Sequence, residues 1–142
     1  LVARGRKLPK LKNLDDRKQA LKSAAAVWVP NRNGVFLSIA AAFAESLGCR
    51  EVVIGFNKEE GATFPDNTPA FGRALTKAFA FSTTNGVRVV SHTARMDKGQ
   101  IVKLARRRGV PLHLLWSCYE GGGRPCGRCE SCLRLQRALL AP

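Results

Sequence analysis

An α/β fold built on a parallel sheet, ending in a cysteine-rich tail, is what this sequence predicts. Three observations carry the prediction. Helical and strand-like patterns alternate from Asn33 to Leu112, the order of a layered α/β domain. Two short β-branched runs, Glu51 to Phe56 and Val87 to Ser91, suit strands buried in a parallel sheet. Four of the five cysteines then crowd into residues 118–132.

The elements follow in order. Residues 1–22 are basic, weakly periodic and interrupted by Pro9, which reads as an arm, with room for a short helix from Asp15 to Ala26. Trp28, Val29 and Pro30 read as the end of an extended segment, because the residue before proline avoids the helical region. Asn33 is a good N-cap, and Val35, Phe36, Ile39, Ala40, Phe43 and Leu47 recur behind it at helical spacing. Gly48 stops that helix. After the first strand, Lys58 to Asp66 reads as a polar loop. Thr68-Pro69 pairs an N-cap with the favoured first helical residue, and Phe71, Leu75, Ala78 and Phe79 form one face behind it. Val87 to Ser91 is the second strand. Asp97 with Gln100 resembles a capping box ahead of Ile101, Leu104 and Ala105, and Gly109 closes that helix. The last helix runs from Cys129 or Glu130 to Leu140. The division expected is a basic arm (1–28), an α/β core portion (29–116), and a zinc-binding tail with its helix (117–142).

Composition bounds the function. No apolar run approaches a membrane span, and no secretory signal is legible, so a cytoplasmic protein is expected. The chain opens on Leu, which reads as truncation or processing. Net charge is +14, with eight basic and two acidic residues in Leu1 to Trp28 and a second basic stretch from Arg95 to Arg137. Such charge suits a solvated surface and polyphosphate or nucleic acid equally well.

The cysteines give the most specific chemistry. In SCYEGGGRPCGRCESC, Cys118, Cys126, Cys129 and Cys132 form a Cys-x7-Cys-x2-Cys-x2-Cys pattern. A tight turn aims three sulfurs at one centre, and Gly121 to Gly123 can fold the fourth back to close a tetrahedron. Thiolates suit a closed Zn²⁺ site, whose four sulfurs and metal carry a charge of about −2, offset by Arg124, Arg128 and Arg134. The rival is an iron–sulfur centre, but Pro125 precedes the triplet here instead of following a fourth cysteine. Cys49 stands alone and reads as a buried structural thiol. His92 and His113 lack partners at ligand spacing and read as structural.

Other candidates have two readings each. Arg32 and Asn33, opening a helix, suit a phosphate or an adenylate, or else are an exposed Arg beside a simple cap. Asp66 follows a strand end, where α/β sheets place ligands, yet Pro-Asp-Asn is also a common turn. Asn57 shares both readings. Lys98 can reach phosphate or stay solvated.

Four stretches together carry a family resemblance: VPNRNGVFLSIAAAFAESLG, VVIGFN with FPDNTPAF, MDKGQIVKLARRRGVP and LLWSCYEGGGRPCGRCESCLR. In this order they resemble the 7-cyano-7-deazaguanine synthases of queuosine precursor synthesis, over about four fifths of the chain. The resemblance implies a Rossmann-like adenine-nucleotide α-hydrolase fold, incomplete here. It implies ATP-dependent conversion of 7-carboxy-7-deazaguanine and ammonia to the nitrile, with ATP as co-substrate, Mg²⁺, and structural Zn²⁺ on the four clustered cysteines. Nucleotide contacts then fall to Arg32, Asn33 and Lys98, and substrate contacts to Asn57, Phe64 and Asp66. Three departures stand out. The family's opening strand and Ser-Gly-Gly-x-Asp-Ser phosphate loop has no counterpart here. Asn67 stands where many relatives carry Cys, and Phe64 where a Tyr is common. A catalytically inactive zinc module that binds nucleic acid or a partner protein through its basic surface is the alternative. So is a related deazaguanine enzyme with another acceptor. Exposed sheet edges also disfavour a lone monomer, and a homodimer is one way to cover them.

Overall fold

The computed structural model describes residues 14–141, so residues 1–13 of the basic arm lie outside the described residues. Two compact units are present, one of residues 29–97 and one that joins residues 14–28 to 98–141.

The first unit holds the sheet. Strands β1 (Glu51–Val53) and β2 (Arg88–Val90) pair in parallel, with Glu51 opposite Arg88 and Val53 opposite Val90. Helix α2 (Arg32–Ser46) precedes β1, and α4 (Pro69–Ser82) precedes β2. Between them lie a one-turn helix, α3 (Lys58–Gly61), and a 3-10 turn (Pro65–Asn67), where the sequence suggested a polar loop. Leu37, Ala41 and Ala44 from α2 meet Phe56, Phe79 and the fully enclosed Val87, and Val52, Ile54 and Val89 pack against them. One face of the sheet therefore carries both helices. Burying each such Val or Phe contributes about 1.5–3 kcal/mol relative to exposure.

The first unit corrects four expectations. Helix α2 is capped by Asn31, not Asn33: Asn31 adopts a left-handed backbone at φ 55°, and the Val35 N–H closes the first turn on its carbonyl. The Asn31 side chain leans over Gly34, where a Cβ would lie only 2.0 Å from its Oδ1, so a larger residue at 34 has to displace that side chain. The large apolar residues of α2, expected to face the core, point outward, while small Gly34, Ala41 and Ala44 turn inward with Leu37. A sheet approached closely by a helix accepts small side chains best. Cys49 is exposed, not a buried thiol, because it follows the helix end at Gly48 on the surface. His92 is likewise on the surface.

Elsewhere the local chemistry follows the sequence. Thr68 Oγ1 accepts the Phe71 N–H at 3.1 Å, and Pro69 opens α4. The outer edge of β2 is closed by two hydroxyls: Val89 N–H donates to Thr76 Oγ1 and Val87 N–H to Thr83 Oγ1, both at 3.0 Å.

In the second unit, α1 (Arg17–Val27) begins at Asp16, whose carboxylate accepts the N–H groups of Lys18 and Gln19. Helices α5 (Lys98–Arg107) and α6 (Glu130–Leu140) pack together, burying Val102 and Ala138. Arg137 reaches Asp15 with two nitrogens, at 2.8 and 3.1 Å. His113, expected to be structural, is exposed in a 3-10 turn (Leu112–Leu114). Among the described residues no helix is long and apolar enough to cross a membrane.

Candidate metal centre and the Asp66 turn

Two constellations stand out, one in each unit. In the tail, the Sγ atoms of Cys118, Cys126, Cys129 and Cys132 all lie within 4.8 Å of one another, and none is in a disulfide. A tetrahedron with Zn–S bonds of about 2.3 Å has edges of about 3.8 Å, so the sulfurs are within about an ångström of closing on a metal. The backbone makes the cup. Gly127, at φ 70°, turns the Cys126–Cys129 step so that the Cys129 N–H donates to Cys126 Sγ at 3.3 Å. The Cys126 N–H donates to Cys118 Sγ at 3.4 Å. Gly122, at φ 92°, lets the long loop return. Cys129 caps α6 and Cys132 lies in its first turn, so the positive end of the helix faces the sulfurs. Arg128 pairs with Glu120 at 3.1 Å beside them.

Acidity differs among Cys118, Cys129 and Cys132. Donation by the Cys126 N–H brings the Cys118 thiol down from 9.0 to about 7. At Cys129 burial pushes the thiol up, but N–H groups of Tyr119 and Cys132 among others outweigh it, so the net direction is down. Burial pushes Cys132 up to about 12, with the Gly127 N–H only partly opposing. A set of four soft donors, three buried and Cys126 half-buried, some drawn toward thiolate by peptide dipoles, fits a metal ion.

The second constellation joins Asp66 to the start of α2. Asp66 is buried in the 3-10 turn. Its Oδ2 accepts the Asn33 N–H at 3.1 Å, its Oδ1 the Asn67 side-chain amide at 3.2 Å, and its carbonyl the Asn33 side chain at 3.1 Å. A carboxylate thus supplies a first-turn partner to α2, which has no cap bond from Asn31. The sequence named Asn33 and Asp66 separately. That they bind each other across 33 positions, with Asn67 as a third member, carried no local signal.

The other candidates are placed as follows. Arg32 is exposed on the first turn of α2, and Phe64 is half-buried at the start of the 3-10 turn. Asn57 is buried and caps α3, its Oδ1 accepting the Glu60 N–H at 3.0 Å. Arg32, Asn33, Asn57, Phe64 and Asp66 all belong to the sheet unit; Lys98, half-buried at the first position of α5, belongs to the other.

The family described as "Queuosine biosynthesis protein QueC" has a model that matches residues 2–141. The chain belongs to that family. Among its relatives, a protein named 7-cyano-7-deazaguanine synthase from Desulforamulus reducens is 55% identical over 131 residues, covering 92% of this chain and 58% of the relative. Proteins of the same name from Desulforudis audaxviator and Methanosarcina mazei are each 50% identical, covering 92% and 98% of this chain and 59% and 62% of their own lengths. The chain thus spans about six tenths of these family members.

Proposed function

We propose that this chain forms part of a 7-cyano-7-deazaguanine synthase, an ATP-dependent ligase that converts 7-carboxy-7-deazaguanine and ammonia to the nitrile in queuosine biosynthesis. The observation that carries this reading is identity of about half with relatives of that name, sustained over more than nine tenths of the chain. In the reading, the fold is the Rossmann-like adenine-nucleotide α-hydrolase type, and the reaction takes place in the cytoplasm.

The chemistry runs in two activations. The substrate carboxylate attacks the α-phosphorus of ATP, expels pyrophosphate and becomes an acyl adenylate; ammonia displaces AMP and, after losing a proton, leaves an amide. The amide oxygen then attacks a second ATP, again expelling pyrophosphate, and departs as part of AMP while the nitrogen loses its two protons and the carbon–nitrogen bond becomes a nitrile. Arg32 at the first turn of α2 and Lys98 at the start of α5 are assigned to nucleotide phosphates, where cations neutralise developing charge. Asn33 is assigned to nucleotide as well, although its amide is engaged with Asp66. Asn57, Phe64 and Asp66 are assigned to the deazapurine, Phe64 by stacking and Asp66 through its carboxylate. Magnesium accompanies ATP. Zinc, held by Cys118, Cys126, Cys129 and Cys132, supplies a cross-link that fixes the tail, and takes no part in bond making.

A net charge of +14 favours one second reading, an inactive zinc module that binds nucleic acid. Steep weakening of tRNA binding with salt, together with no ATP binding, distinguishes it. The test of the first reading is formation of the nitrile from 7-carboxy-7-deazaguanine, ATP and ammonia, followed by mass spectrometry. Loss of product on Asp66→Ala, with zinc content unchanged, is the expected result.

A further inference from the structure

Charge is divided unevenly between the two units. Residues 29–97 hold seven basic and six acidic side chains, whereas residues 1–28 and 98–142 together hold seventeen basic and four acidic. The net charge is thus +13 in the helical unit and its arm against +1 in the sheet unit. A zinc-loaded sulfur group, at about −2, offsets little of it. The acids of the helical unit are already taken. Asp15 pairs with Arg137, Glu120 with Arg128 and Glu130 with Arg134, while Asp16 accepts the first N–H groups of α1. Arg17, Lys18, Lys22, Lys103, Arg107 and Arg124 are exposed and have no acidic partner among the described residues.

Helical geometry sorts these cations onto faces. On α1, Arg17, Lys18 and Lys22 share the exposed side with Leu21 and Ala25, away from the buried Ser23 and Ala24. On α5, Lys103 and Arg107 lie one turn apart, away from the buried Val102. An ordinary solvated surface mixes both signs, because one sign alone repels itself and costs stability until a polyanion relieves it. Steering of ATP does not account for the placement, since of the residues assigned to nucleotide only Lys98 belongs to this unit.

The apolar residues among the cations choose between polyanions. A helix that lies on a membrane needs a broad apolar face, and the outward side of α1 offers only Leu21 and Ala25. Between α5 and the sulfur cup, by contrast, stands Trp116, 51% exposed, with Tyr119 three residues on at 47%. The Ser117 hydroxyl donates to the Ser131 carbonyl at 3.3 Å and ties this stretch to the first turn of α6. Cations for phosphates together with exposed rings for bases are what single-stranded nucleic acid takes.

We propose that the helical unit binds single-stranded nucleic acid, with Arg17, Lys18, Lys22, Lys103 and Arg107 on phosphates and Trp116 stacked on a base. The near-neutral sheet unit takes no part. The surface therefore coexists with the reaction assigned above, unlike the inactive module, and stands whether or not that reaction is correct.

The test follows binding of a labelled oligo-U of about 20 nucleotides to the zinc-loaded 142-residue chain by fluorescence anisotropy, between about 50 and 200 mM salt. Lys103→Glu with Arg107→Glu is expected to weaken binding about tenfold or more. The same pair flattens the log–log salt slope by about 1.4, two phosphate contacts at about 0.7 each. Arg73→Glu with Lys77→Glu makes the same change of charge at the same spacing on α4, and is expected to alter affinity less than about threefold. Trp116→Ala is expected to weaken oligo-U about tenfold but inorganic polyphosphate less than about twofold, with Trp116→Phe restoring most of the loss. Circular dichroism and zinc content check the fold of each variant, and Arg17→Glu with Lys22→Glu replaces the α5 pair if that pair does not fold. Equal weakening by the α4 and α5 pairs overturns the proposal, because net charge alone is then responsible. So does a Trp116→Ala variant that loses oligo-U and polyphosphate alike or neither. Absence of binding at about 50 mM salt overturns it too, as does preference for a duplex or for anionic phosphatidylglycerol vesicles over oligo-U.

Discussion

Replacing Asp66 by Ala removes the carboxylate that satisfies the start of α2. The Asn33 N–H, 3.1 Å from Oδ2, then faces a buried gap without a partner. A hydrogen bond to a charged group contributes about 1.5–3 kcal/mol, and a negative charge at a helix N-terminus adds about 0.3–1 kcal/mol. The expected loss is about 2–4 kcal/mol, which for a chain of this size lowers the melting temperature by about 6–12 °C. Asn33→Ala keeps the N–H and loses only the amide bond to the Asp66 carbonyl, so about 1 kcal/mol and about 3 °C are expected. Asp66→Asn retains one acceptor oxygen and falls between the two. Thermal unfolding by circular dichroism, with exchange of the Asn33 amide as the local reading, measures all three on zinc-loaded protein. A shift under about 2 °C for Asp66→Ala, or a larger one for Asn33→Ala than for Asp66→Ala, would refute the reasoning.

Metal content gives the next prediction: purified chain is expected to hold zinc stoichiometrically, Cys132→Ser to lose it, and Cys49→Ser, outside the sulfur group, to keep it, as read by elemental analysis. Zinc affinity should fall with falling pH. Metal binding displaces the proton that burial keeps on Cys132, with its thiol near 12, and below about 7 the Cys118 thiol also holds its proton; chelator competition that is flat between about pH 6 and 8 would contradict this. Thr76→Val removes the acceptor of the Val89 N–H, so about 1 kcal/mol of stability and a faster Val89 exchange are expected, with exchange at Val52 little changed.

Much of the fold was legible because it rests on local rules. Thr68-Pro69, the β-branched runs and the tail helix were placed within a few residues of where they lie, and the four-cysteine spacing already located the sulfur cup. The orientation of α2 was not legible. Its sequence is apolar almost all round, so periodicity cannot choose a face, and the choice is made by how closely the helix approaches the sheet. Small residues won the inner face and the large ones were left outside. The Asn33–Asp66 link was hidden for another reason: it joins residues from two elements, and only the folded chain brings them together. Cys49 looked like a core thiol only because cysteines are usually buried.

The proposed function has the four clustered cysteines holding zinc and the Asp66 turn belonging to the substrate face of a nitrile-forming ligase. Its most direct test supplies 7-carboxy-7-deazaguanine, ammonia, Mg²⁺ and ATP to the zinc-loaded chain joined to the stretch it lacks relative to the Desulforamulus reducens protein. The account predicts 7-cyano-7-deazaguanine that depends on ATP and disappears with Asp66→Ala. No nitrile from a folded, zinc-bearing polypeptide, under conditions where the relative itself produces it, would contradict the account.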